Sequence, residues 1–188
     1  MKKQFMKIAL GMFLLSALIT SCSKDKVEEA NEEELITTMK LSFVPTGGGA
    51  TLTYQFKDTD GPGGAAPTID EIVLAPSQSY NVTVQLLNEA ETPAEDITLE
   101  VVEEADAHRF YYEPTAGSNI TVSGLNNDGS GIPLGTNGTW TTGAVATGKV
   151  KVTLRHYPGV PPGKAAADLV NSSKSNTDIE VEFNTKIQ

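Results

Sequence analysis

From Leu35 onward the dominant apolar period is two, and that period commits the runs that carry it to strands with one buried face. Tyr80, Val82, Val84 and Leu86 give the cleanest run, the pattern of a half-buried central strand. Val150, Val152 and Leu154 repeat it within KVKVTLRH, and Ile179, Val181 and Phe183 repeat it within DIEVEFNTKI. Ile36, Met39, Leu41 and Phe43 are followed by Leu52, Tyr54 and Phe56. The PTGGG stretch between those two sets reads as a turn, so together they predict a β-hairpin. Shorter strands are expected over Ile69–Leu74, over His108–Tyr112 up to Pro114, over Ile120–Leu125, and over Thr139–Thr142 around Trp140. Asp58–Pro67, Asn126–Gly131 and Pro158–Lys164 are rich in Gly, Pro and Asn and read as loops.

Thr92–Ala107 is the exception. Thr92 suits an N-cap, Pro93 the first helical position, and Glu95 stands three after the cap, completing a capping box. Ile97, Val101, Val102 and Ala105 then share one helical face. The stretch Ile97–Val101 also alternates and would serve as a strand, but cap and proline agree with the helical period. Eight or nine strands and one helix of about three turns predict a mainly β chain. Its fold class is a single antiparallel β-sandwich, immunoglobulin-like or related, with one short helix covering an edge or an end. The Cys–Trp–Cys marker of immunoglobulin domains is absent.

The first residues carry a different signal. Lys2, Lys3 and Lys7 precede an apolar run over Ile8–Ile19, too short for a membrane span of about 20 residues but right for a signal peptide. Ile19-Thr20-Ser21-Cys22 then has the shape of a lipoprotein box. Cys22 is the expected lipidation site, and as the only cysteine it has no disulfide partner. The expected domains are a signal peptide (1–21), a lipidated cysteine with a charged tether (22–34), and one β-sandwich (35–188). Removing the three leader lysines from 14 basic residues against 24 acidic ones takes the net charge from −10 to −13. A surface that acidic opposes binding to nucleic acid or anionic head groups. The expected location is the outer membrane, facing the periplasm or the cell surface, with the membrane held through the N-terminal lipid.

His108 and His156 are the only histidines, each at a strand end beside tyrosines, with Glu103, Glu104 and Asp106 just before the first. If the two strands pair, both imidazoles and a carboxylate such as Glu104 enter one site, a donor set for zinc or, through two axial imidazoles, haem. Asp58-Thr59-Asp60-Gly61 has the alternating oxygen ligands and glycine of a calcium loop, but Pro62 follows and Glu71 lies too far on. Asn126–Gly129 reads first as a turn. Phe110–Tyr112 or Trp140 would offer a sugar-stacking surface if exposed, Trp140 being the better candidate, although a lone tryptophan in a sandwich more often lies in the core. No nucleophile with a positioned base is visible: the sole thiol is the lipidation site and no G-x-S-x-G elbow occurs. The chain therefore reads as non-enzymatic.

Four stretches, Asn31–Met39, Leu87–His108, Thr141–His156 and Thr177–Asn184, together resemble a family of small Bacteroidota lipoproteins. Members often carry the label of a type 1 periplasmic binding fold, which requires two large doubly wound α/β domains that this alternation does not provide. Their genes frequently stand near one for a TonB-dependent receptor. The resemblance implies an accessory lipoprotein for nutrient or metal uptake, with that receptor as partner. A metal- or haem-binding lipoprotein using the two histidines, or a structural and adhesive envelope module, are the alternatives.

Overall fold

Why the alternating runs become a sandwich is visible in their register. A computed structural model describes residues 35–61 and 63–188; Cys22 with its leader and tether lies outside them. Among the described residues the strands are β1 (Thr38–Pro45), β2 (Leu52–Lys57), β3 (Thr68–Ile69), β4 (Ile72–Leu74), β5 (Ser79–Asn88), β6 (Glu95–Asp96), β7 (His108–Pro114), β8 (Ile120–Ser123), β9 (Asn137–Thr142), β10 (Ala146–His156) and β11 (Asn176–Ile187). A single helix, α1, spans Ile97–Glu103. One sheet runs β3-β2-β1-β5-β9-β8, with β6 added beside β5, and the other runs β4-β11-β10-β7. Neighbours are antiparallel except β4, which joins β11 in parallel. The expected sandwich is the observed fold.

Period two places matching rows face to face. Met39, Leu41 and Phe43 stand opposite Leu86, Val84 and Val82 in one sheet. Val150, Val152 and Leu154 stand opposite Phe183, Val181 and Ile179 in the other. All twelve are buried and belong to one cluster. Removing a side chain of this size from water contributes about 1.5–3 kcal/mol, so these rows hold the two sheets together. Trp140 belongs with them rather than at the surface. It is 1 % exposed and meets Phe43 at 5.2 Å and Tyr112 at 5.7 Å, both edge to face, linking β9 of one sheet to β7 of the other.

Three further expectations are corrected. Ile69–Leu74 is two strands, not one: β3 pairs with β2 and β4 with β11. Asp70 fixes the break, exchanging bonds with both backbone groups of Gln55 before the chain crosses between sheets. The helix exists but begins later and is seven residues long. Its cap is Asp96, whose Oδ1 accepts from the Thr98 amide at 3.0 Å. Thr92 and Pro93 precede an extended pair, Glu95 and Asp96, laddered to Asn88 and Leu87 of β5, so the backbone is not helical there. Ile97 and Val101 face the core, whereas Val102 is half exposed because the short helix turns it away. Asp96→Ala is expected to cost about 1 kcal/mol of stability in urea unfolding, the usual value of a lost cap, and Thr92→Ala only a few tenths. Equal costs would return the cap to Thr92.

Candidate metal centre

The core rows of β7 and β10 do not stop where the apolar residues stop. Tyr112 pairs with Val152, Phe110 with Leu154, and the next inward positions, again directly opposite each other, are His108 and His156. Alternation therefore carries both imidazoles onto the inner face at the end of the sandwich. Cross-strand partners on one face are close neighbours. The rings stand 4.6 Å apart between centres and 34° from parallel.

Glu104 arrives from the helix. As the C-cap of α1 it donates its amide to the Glu100 carbonyl, and its own carbonyl turns back toward β7. That carbonyl accepts from the Ala107 amide at 2.9 Å and from His108 Nδ1 at 3.1 Å. A carbonyl only accepts, so Nδ1 carries the proton and the neutral ring has its lone pair on Nε2. One ring nitrogen of each histidine and one Glu104 carboxylate oxygen all lie within 4.8 Å of one another. Among the described residues this is the one group of three or more such side chains with that spacing.

Burial is graded across the group. His108 is 2 % exposed, His156 is half-buried, and the Glu104 side chain faces solvent. Burial first, then the neighbouring His156 and Lys164, pushes the His108 pKa down from 6.5 to about 4, against the Glu104 carbonyl and Asp106, which favour the proton. Burial also lowers His156, which the Glu104 carboxylate partly offsets. Both imidazoles are therefore neutral near pH 7, the form that binds a metal.

Two residues that the sequence did not single out stand beside the histidines. Asp178 Oδ2 lies 3.9 Å from His108 Nε2, with its side chain 8 % exposed. Lys164 Nζ donates to the Ala105 carbonyl at 2.5 Å and the His108 carbonyl at 3.0 Å, and pairs with Asp128 at 2.6 Å. Both side chains of that ion pair are 1 % exposed. Lys164 sits in a Pro/Gly loop 56 residues from His108, a separation no local pattern reveals.

The remaining candidates behave otherwise. Asp60 Oδ2 accepts from the Ala65 amide at 2.8 Å, closing its own loop, and that bond is the main cause of its lowered pKa. Among the described residues no third carboxylate or imidazole gathers around Asp58 and Asp60. In the 126–131 turn, Asp128 Oδ1 accepts from the Ser130 and Ile132 amides while its other oxygen meets Lys164, an arrangement of turn and ion pair. The aromatic run forms no stacking platform. Phe110 is core, while Arg109 covers the Tyr111 ring at 4.5 Å and Tyr157 occupies its hydroxyl at 2.6 Å.

Compared with protein-family models, curated proteins and solved structures, the chain matches none of them, and its chemistry is read from this side-chain geometry.

Proposed function

We propose that this protein is a non-enzymatic metal-binding protein that holds one divalent transition ion of the zinc class through His108, His156 and Glu104. The observation that carries the reading is the convergence of two imidazoles and a carboxylate, from α1, β7 and β10, within 4.8 Å. Imidazole nitrogen with carboxylate oxygen and no thiolate suits zinc, copper(II) and nickel rather than calcium, which takes oxygen only. Donation of Nδ1–H from His108 to a backbone carbonyl is the arrangement that orients metal-ligating histidines and leaves Nε2 open. Haem fits less well. Two imidazole rings 4.6 Å apart between centres leave no slot between them for a porphyrin held by both. A metal-binding domain fits the accessory role beside a TonB-dependent uptake receptor that the family resemblance implies, with Cys22 as its anchor.

Titration with Zn²⁺ and, separately, with haem tests this. Wild type is expected to bind one zinc, and the His108→Ala/His156→Ala variant to bind it at least about a hundredfold more weakly, the upper end of what even an outer-shell change costs. Haem is expected to give no saturable change in its absorption band. Equal zinc affinity in both proteins would overturn the reading.

A further inference from the structure

We infer that the proposed ion keeps one coordination position free on its solvent side, and that an imidazole on a basic peptide segment lying along α1 fills it. This rests on the metal reading above and names the partner of the same site.

The donor set leaves room for such a ligand. A tetrahedral zinc ion takes four ligands, and the protein brings together three side chains to supply them. A site of that kind holds its last position for water or an incoming group. Burial fixes where that position faces. His108 closes the inner side, His156 is half-buried and Glu104 is exposed, so the outer side of the ion is turned toward solvent.

Glu104 also ends a groove. Residues three and four apart share a helix face. On α1, Leu99 and Glu103 form one row, and Glu100 stands between the N-cap Asp96 and the C-cap Glu104 in the next. Together with Glu95 these side chains line a groove of about 550 Å³ that reaches a ligand of the ion. That volume admits several side chains rather than one small anion. Leu99, 71 % exposed, gives it an apolar surface.

Charge selects the occupant. Glu95, Glu100 and Glu103 are exposed and enter no ion pair among the described residues. Asp96, by contrast, is engaged by the Thr98 amide and the Gln85 side chain. The groove thus presents carboxylates that repel an anionic donor and attract ammonium or guanidinium groups. A neutral imidazole meets no such repulsion, and its nitrogen suits an ion of this class. A segment carrying both satisfies the whole surface: histidine meets the ion, and lysine or arginine meets the carboxylates. The aliphatic stems of those basic residues cover Leu99.

Cobalt(II) reads the test, because its visible bands change when a ligand of the ion is exchanged. Peptides blocked at both ends, so that their termini do not chelate the ion, are titrated into Co²⁺-loaded protein. One carries a histidine with two lysines, another a histidine with two glutamates, and a third an alanine with two lysines. The basic histidine peptide is expected to shift the bands saturably while the ion stays with the protein on gel filtration. It is expected to bind about fivefold tighter than the acidic one, the scale of two exposed charge contacts. The alanine peptide is expected to leave the bands unchanged. Glu95→Gln/Glu100→Gln/Glu103→Gln, which keeps all three ligands, is expected to bring the two histidine peptides level. Salt at about 0.5 M is expected to do the same in wild type. Bands that ignore the basic histidine peptide, or that shift with the alanine peptide, overturn the open position. A peptide that strips the ion overturns it too. Equal affinities for the two histidine peptides in wild type at low salt overturn the choice of a basic partner. All these outcomes leave the metal reading standing. If wild type binds neither Zn²⁺ nor Co²⁺, the proposed function fails and the peptide partner with it.

Discussion

Replacing Lys164 by Met is expected to lower the free energy of unfolding by about 3–5 kcal/mol, read as a fall in the urea midpoint at unchanged slope. The reason is what the ammonium leaves behind. Its three donors go to Asp128 Oδ2 and to the carbonyls of Ala105 and His108. Those partners belong to the 126–134 loop, the link from α1 to β7 and the first residue of β7, so Lys164 ties its own loop to all three. Burial alone raises the Asp128 pKa, but Lys164 and the amides of Ile132 and Ser130 outweigh it and hold the carboxyl below its usual range. Without Lys164 that carboxylate is buried and charged with no cation to meet it, and two carbonyls lose a donor, which costs far more than the pair itself contributes. Lys174 is the control. It also pairs with an aspartate, Asp168, at 2.8 Å, but it is half exposed, and Lys174→Met is expected to change stability by less than about 1 kcal/mol. A second check is coupling. Lys164→Met with Asp128→Asn should be less damaging than the two single changes summed, by about 0.5–3 kcal/mol. Strict additivity, or a Lys164→Met cost no larger than that of Lys174→Met, would show that the buried pair does not organise these loops.

The parts of this architecture that the sequence discloses are those that obey one rule along one strand. Period two identified the hairpin of β1 and β2, the central β5, and the inward rows of β10 and β11, because inward faces are set locally by the pleat. The two histidines were legible for the same reason, as the last inward positions of β7 and β10. Their meeting depended on a pairing that sequence offers only as a condition. Asp178 was hidden because a bulge breaks the rule that would have placed it: counted from Ile179 it faces solvent. The helix cap failed through competition. Thr92, Pro93 and Glu95 form a sound local start signal, but pairing of Glu95 and Asp96 with the end of β5 holds the backbone extended, and Asp96 caps instead. Trp140 lies among turn-rich segments, yet Phe43 and Tyr112, about a hundred and about thirty residues away in sequence, enclose it. What was illegible is what depends on contacts between distant segments.

In metal-free protein, stability is expected to fall by about 3 kcal/mol as pH drops from 6.5 to 4, and His108→Asn should flatten that slope. The sign follows from where each state takes its proton. In the unfolded chain His108 titrates near 6.5; in the fold its pKa is pushed down to about 4 by burial, with His156 and Lys164 adding to it. Between those values the unfolded state binds a proton that the folded state refuses, so stability increases with pH across the window. The contribution is fully present above 6.5 and gone below about 4. At 2 % exposure the ring is not screened by solvent, and a drop of that size corresponds to about 3 kcal/mol. The charged neighbours facing it are Lys164, Asp106, Glu104 and Asp178, and burial outweighs the acidic ones. Carboxylates held low by their partners, Asp128, Asp96 and Asp168 among them, contribute above the ordinary carboxylate range and lose their effect only as pH falls below about 4. The histidine window is thus separable from theirs. A flat profile from 6.5 to 4 in wild type would mean the buried ring takes its proton as readily as a free one. The same depression bears on the metal. Protons and a cation compete for one lone pair, so an ordinary histidine pair loses zinc steadily below pH 6.5. A centre built around His108 should keep its affinity nearly level from pH 7.5 to 6, because over that range there is no proton at Nε2 to displace.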